Sequence, residues 1–217
     1  MSIAPDYTNA TNHLKQVDPV LARLIDSGEP CLLGASQITD SAMSGLIKAI
    51  FYQSISLKAA TTVFNRFLNL YPGQGFPVPQ TILDTPDQSL REIGLPPFKV
   101  QYIKAVAQQA IEGLLTLQEL DRLSNEAIIK ELTAIKGVGV WTVQMLLIFQ
   151  LKRLDVLPVS DLGLRAAIQD LYELDALPDK TTVEAIGQPW KPYRTIATWH
   201  LWQSRGNVAR ELLKLWS

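Results

Sequence analysis

Cys31 is the only cysteine in 217 residues. This excludes an internal disulfide, and it also excludes the four thiolates that an iron–sulfur cluster takes from one chain. Net charge is almost as scarce. The 20 basic and 21 acidic residues leave −1, with a pI near 6.1, so nothing draws the whole molecule to a polyanion and any nucleic-acid face must be a local patch. No apolar run reaches membrane-spanning length, and the polar start from Ser2 to Lys15 does not read as a signal peptide. Together with the lone thiol, these features predict an intracellular protein, neither secreted nor attached to a membrane. Sustained apolar–polar alternation is missing too, which argues against a sheet, and no repeat or low-complexity segment interrupts the chain.

Apolar residues at helical spacing are abundant. The 47% hydrophobic content can fill one sizeable all-α domain or two small lobes, and a single unit over 1–217 is the expectation. Asp18-Pro19 reads as an N-cap followed by proline at the first helical position, opening a helix to Ser27 that Gly28 ends. Further helices are predicted over 41–51 and 56–71, the second with Ala59, Ala60, Val63, Phe64, Phe67 and Leu68 at core spacing. Pro72 to Pro79 reads as a loop. Helices follow over 86–93, 97–113, 124–134, 140–151, 160–172, 181–186, 194–204 and 207–216.

The most informative stretch runs from Leu132 through Ile135-Lys136-Gly137-Val138-Gly139-Val140-Trp141, with Asp161 lying 22 positions after Gly139. Two helical patterns flank a glycine turn in which Gly137 and Gly139 can take backbone angles that side-chain-bearing residues avoid. A hairpin of about 124–151 results, with its amides exposed. Those N–H groups, with the helix N-terminus near Gly139, form a pocket of partial positive charge suited to a phosphate oxygen, a grip that reads no sequence. A second candidate patch is the tail. From Trp190 to Ser217, Lys191, Arg194, Arg205, Arg210 and Lys214 stand against Glu211 alone, a local +4 that a solvated helix face would also show.

Three blocks, Tyr52-Gln53-Ser54-Ile55-Ser56-Leu57-Lys58-Ala59-Ala60, the hairpin through Gln144, and Leu157-Pro158-Val159-Ser160-Asp161 on to Trp190-Lys191-Pro192-Tyr193-Arg194, occur in one order across 50–202. So arranged, the chain resembles the helix-hairpin-helix (HhH-GPD) DNA glycosylases. Within them it is most similar to the alkylpurine branch of DNA-3-methyladenine glycosylases, in the manner of a divergent second yeast-type paralogue. The resemblance implies two helical lobes around a DNA-binding cleft, and base-excision repair in the nucleus of a eukaryote or the cytoplasm of a bacterium. The implied reaction is hydrolysis of the N-glycosidic bond of 3-methyladenine or 7-methylguanine in duplex DNA. Asp161 is the implied catalytic carboxylate, stabilising an oxocarbenium-like sugar and orienting or deprotonating water. An Asp at this place is also a common helix cap.

Relatives that cut the strand carry a lysine just after the hairpin for a Schiff base; Trp141 stands there, so no strand cleavage is implied. Trp141, Trp190 and Tyr193 are the candidate aromatic faces for a flipped cationic purine, although tryptophan also simply fills cores. Lys136, Gly137, Val138 and Gly139 are the candidate backbone grip. The carbonyls of Thr133, Ile135 and Val138 match positions that hold an alkali cation in relatives. No other cofactor is implied, and the absent thiolates favour the alkylpurine branch over relatives with an iron–sulfur cluster.

The chain departs from the family where it would probe the duplex. Gln53, Ser54, Ile55 and Ser56 occupy the intercalating loop. Ile55 can act as a wedge, but Ser54 has little volume, and Ser56, where some relatives have histidine, suits a helix cap. Ser160-Asp161 replaces a pair of acids. Function therefore stays open between a monofunctional glycosylase, a non-catalytic sensor of abasic or distorted DNA, and an interaction module that kept the fold.

Overall fold

In a computed structural model, residues 7–35, 41–73, 75–113, 116–206 and 208–216 are described, and among them every regular element is helical. The predicted start of the last helix at Asn207, and Ser2 to Asp6 of the polar start, lie outside this set. The helices are α1 (Thr8–Val17), α2 (Pro19–Ser27), α3 (Ala42–Tyr52), α4 (Leu57–Asn69), α5 (Pro79–Asp84), α6 (Asp87–Glu92), α7 (Pro97–Glu112), α8 (Leu117–Asp121), α9 (Asn125–Leu132), α10 (Val140–Phe149), α11 (Leu162–Leu171), α12 (Lys180–Gly187), α13 (Arg194–Gln203) and α14 (Val208–Trp216), with a 3₁₀ turn at Leu33–Ala35. Among the described residues no helix is long and apolar enough to cross a membrane.

The predicted helices are all found, with ends moved by a few residues, and three more are present. α1 is polar and buries only Ala10 and Leu14, so it carries no periodic apolar stripe. α5 begins inside the expected Pro-rich loop, with Pro79 at its first turn, and is too short to show a period. α8 has five residues and is held by a capping box between Thr116 and Glu119.

The chain divides into two compact units. One comprises 38–151 with Trp216, and the other the segments before and after it. In the first, α3 is buried along its whole length and packs on α4, α7 and α10. Phe51, Phe64 and Phe67 form an aromatic cluster with ring centroids 5.1–6.3 Å apart, the spacing at which edge-on and offset rings attract. α10, apolar on all sides, buries seven of its ten residues.

In the second unit α13 is the central helix, with Thr195 through Trp202 all buried. Asp18 ties this unit together from the N-cap of α2. Its Oδ1 accepts the Val20 and Leu21 amides, and its Oδ2 accepts the Tyr172 hydroxyl (2.6 Å) and the Trp190 indole N–H (2.8 Å). A carboxylate that is only 7% exposed is tolerable because four donors replace its water. Burial and this neighbouring carboxylate push the Tyr172 hydroxyl pKa well up, so it remains a donor.

Candidate nucleic-acid interface and catalytic carboxylate

In the unit formed by 38–151, residues 133–139 join α9 to α10 as the expected hairpin. Gly137 sits at φ +87°, and a Cβ there would lie 2.0 Å from Cγ of Tyr102, so both conformation and space demand glycine. Gly139 differs from the expectation. It is the N-cap of α10 at φ −93°, ψ 171°, an extended geometry open to any residue, and nothing approaches its missing Cβ within 4 Å. Its value is access. No side chain caps α10, so the first turn of that helix presents its N-terminal dipole to an approaching oxyanion. Val138 is buried and folds the turn by donating its N–H to the Ile135 carbonyl (3.0 Å). Lys136 is exposed and donates to Gln101 Oε1 at 2.9 Å.

The structure brings Gln53 to this hairpin. Its side-chain amide donates to the Gly137 carbonyl (3.0 Å) and to the hydroxyl of buried Thr142 (2.7 Å). Its main-chain carbonyl, with that of Phe51, accepts from Nζ of Lys99 at 2.9 and 3.0 Å. Lys99 is 3% exposed, and burial lowers its pKa to about 8. Ser54 adopts φ +58°, rare for a residue with a side chain. Ile55 is 45% exposed, and Ser56 caps α4 through a bond from the Ala59 amide (3.3 Å). Trp141, the second residue of α10, is half-buried.

In the other unit Asp161 caps α11. Its Oδ1 accepts the Leu164 amide (2.7 Å) and the Trp202 indole N–H (2.9 Å). The capping alternative and a fixed carboxylate therefore describe the same side chain. The segment leading to it is held against α13 at three places. Arg194 pairs with Asp155 (2.6 Å), the Thr195 hydroxyl accepts the Val156 amide (2.9 Å) and donates to the Arg153 carbonyl (2.6 Å), and Trp202 reaches Asp161 two turns later. Ser160 and Asp161 are half-buried. Trp202 and Thr195 escaped the sequence reading. Their partners lie 41 and 39 residues away, and no motif marks them.

Two expectations need correction. Trp190 is 0% exposed with its N–H committed to Asp18, so it is a scaffold residue without a face for a base; Tyr193, half-buried, packs edge-on against His13 at 5.5 Å. The +4 tail is largely neutralised by acids from elsewhere in the same unit. Arg194 pairs with Asp155 and Glu184, Arg205 with Asp170, and Arg210 with Glu29, while Lys214 meets Glu211. Among the described residues no cluster of three or more His, Cys, Asp or Glu could hold a metal ion.

A glycine hairpin between two helices, with an all-α frame and a helix-capping aspartate downstream, defines a helix-hairpin-helix protein. The family model described as HhH-GPD superfamily base excision DNA repair protein matches residues 47–192, and the chain belongs to that superfamily. It is 37% identical over 203 residues to DNA-3-methyladenine glycosylase 1 of Schizosaccharomyces pombe, covering 93% of this chain and 89% of the relative. It is 35% identical over 205 residues to the alkylbase DNA glycosidase-like protein mag2 of the same yeast, covering 94% and 96%. The solved structure of the S. pombe 3-methyladenine DNA glycosylase with abasic DNA superposes with a TM-score of 0.85 at 36% identity, over 91% of this chain and 96% of that one.

Proposed function

We propose that this protein is a monofunctional DNA N-glycosylase that releases alkylated purines, 3-methyladenine and 7-methylguanine, from duplex DNA and leaves an abasic site. The observation that carries the proposal is Asp161, whose Oδ1 is fixed by the Trp202 indole and the Leu164 amide on a segment pinned to α13. A carboxylate so oriented stabilises the positive charge that develops on the sugar as the base departs. A purine made cationic by alkylation is already a good leaving group and needs little acid assistance. Trp141 and Tyr193 are the aromatic faces proposed for it, and Trp141 in place of a lysine leaves no amine for strand cleavage there.

The backbone grip is assigned to Lys136, Gly137, Val138 and Gly139 with the first turn of α10. An alkali cation on the carbonyls of Thr133, Ile135 and Val138 belongs to the same proposal. The Ile135 carbonyl, which accepts the Val138 N–H, keeps a second lone pair for it. Its chemistry would be to bridge the hairpin to a phosphate.

Single-turnover release of methylated purines from alkylated duplex, with protein in excess, is the test. Release by the wild type that disappears in Asp161→Asn supports the enzyme. One observation favours the second reading, a sensor of abasic or distorted DNA: Ser56 is committed to capping α4 and Ser54 has no bulk to fill a vacated stack. Tight abasic binding without release from either protein, beside an active relative, selects it.

A further inference from the structure

We infer that Gln53 and Lys99 are positioning residues that lock the duplex-probing loop to the phosphate-gripping hairpin as one rigid element; this rests on the DNA-binding reading above.

Gln53 stands where an intercalating loop would be expected to offer a polar probe, yet its side chain turns inward. Both side-chain N–H bonds are used, one on the Gly137 carbonyl within the hairpin turn and one on Thr142 in the first turn of α10. The main chain at the same residue is held from the opposite side by the Lys99 ammonium, which also takes the Phe51 carbonyl at the C-terminal end of α3. A cation is well placed at a helix C-terminus, and here it replaces the bonds that the last carbonyls of α3 lack. Ser56 then fixes the far end of the loop by capping α4.

Between these anchors only Ser54 and Ile55 point outward. Ser54 takes the left-handed conformation that turns the chain, which leaves Ile55 as the exposed apolar tip. A wedge entering a base stack works only at a set distance from the phosphate that the same protein holds, because a displacement of about 1 Å forfeits much of the packing it gains. The Gln53 amide spans that distance directly. It sets the tip relative to the Gly137–Thr142 turn, whatever the loop's intrinsic flexibility.

The experiment measures affinity for a duplex with an abasic analogue and for the same undamaged duplex, at one salt concentration. The proteins are wild type, Gln53→Met, Thr142→Val and Ile55→Ala. Gln53→Met keeps length and volume but loses the donors; Thr142→Val removes one acceptor from the hairpin side, so the comparison survives if either variant fails to fold. The ratio of abasic to undamaged affinity is expected to fall about tenfold in Gln53→Met and Thr142→Val, as for the loss of one or two well-formed hydrogen bonds, and by a similar factor in Ile55→Ala, which removes the wedge. Gln53→Met combined with Ile55→Ala should fall no further than the single changes. A purely structural role would weaken both affinities together and leave the ratio alone. An unchanged ratio in Gln53→Met and Thr142→Val, beside a reduced one in Ile55→Ala, overturns the inference and spares the function. A wild-type ratio near one overturns the function and the inference with it.

Discussion

Replacing Gly137 and Gly139 one at a time by alanine should separate folding from binding within one turn. At Gly137 the backbone sits at φ +87°, where a Cβ costs about 1–2 kcal/mol. That Cβ would also lie 2.0, 2.4 and 2.5 Å from Cγ, Cδ1 and Cβ of Tyr102. The ring must move, at roughly the 1–3 kcal/mol of an overpacked core. A total of about 2–5 kcal/mol lowers the Tm by roughly 5–20 °C for a chain of this size. At Gly139 the backbone is extended and nothing lies within 4 Å of the added methyl, so alanine leaves Tm unchanged or slightly raised. The methyl would instead occupy the approach to the first turn of α10, costing an oxyanion contact and about tenfold in affinity for abasic duplex. Thermal melts and fluorescence-anisotropy titrations of both variants check this. A Gly137→Ala melt within a degree of wild type, or a Gly139→Ala melt lowered as far as that of Gly137→Ala, would refute the backbone argument.

Trp202→Phe removes the indole donor to Asp161 while keeping an aromatic ring, and the single-turnover release rate should fall about tenfold, less than in Asp161→Asn; an unchanged rate would show that the bond does not position the carboxylate. Trp190→Phe deprives Asp18 of one of its four donors and should cost about 1.5–3 kcal/mol in a urea melt without slowing release by the folded protein; slower release at unchanged stability would return Trp190 to the base pocket. His200 is 2% exposed and burial lowers its pKa to about 4 from 6.5, so the unfolded chain binds the extra proton between these values and stability falls as pH drops from about 6.5 to 4. The loss amounts to about 3 kcal/mol, and His200→Leu should flatten that part of the stability–pH curve; parallel curves for the two proteins would contradict it.

Local signals in the sequence were enough for several helix starts, where a residue's role depends on its neighbours in the chain. Asp18, Ser41, Ser56, Ser124 and Asp161 each cap a helix, as their types and the apolar runs after them predict. The box Thr116-x-x-Glu119 carried the same signal for α8, but the helix it starts is too short to show a period. Gly137 and Gly139 look equivalent as letters, and only the backbone separates a required left-handed turn from an open approach. Long-range partners are where sequence reasoning ends. Lys99 reads as one more basic residue on α7 until its 46- and 48-residue contacts to Gln53 and Phe51 are seen. The tail reads as basic because Glu29, Asp155, Asp170 and Glu184 all lie outside it in sequence.

That neutralised tail decides how the proposed DNA grip must work. Arg194, Arg205, Arg210 and Lys214 are held by carboxylates, and Lys99 is spent on main-chain carbonyls. Of the exposed lysines, Lys136 lies within the hairpin and Lys58 beside the loop, and the rest of the hairpin's contribution is partial charge from backbone amides. Amides direct a phosphate by geometry and release few counterions, whereas each cation engaged by a phosphate steepens the salt dependence by about 0.9 in log–log slope. With two to four cations in play, the affinity for duplex should fall with a slope of about −2 to −4, shallower than the −10 of a protein clad in lysine and arginine. Titrations between 50 and 200 mM salt would read it. A slope near −8 would mean that the ion pairs of the tail open on binding and that its cations, not the hairpin, carry the grip. A shallow slope with retained abasic preference fits a protein whose affinity is reserved for a distorted site, where Ile55 and the hairpin act together.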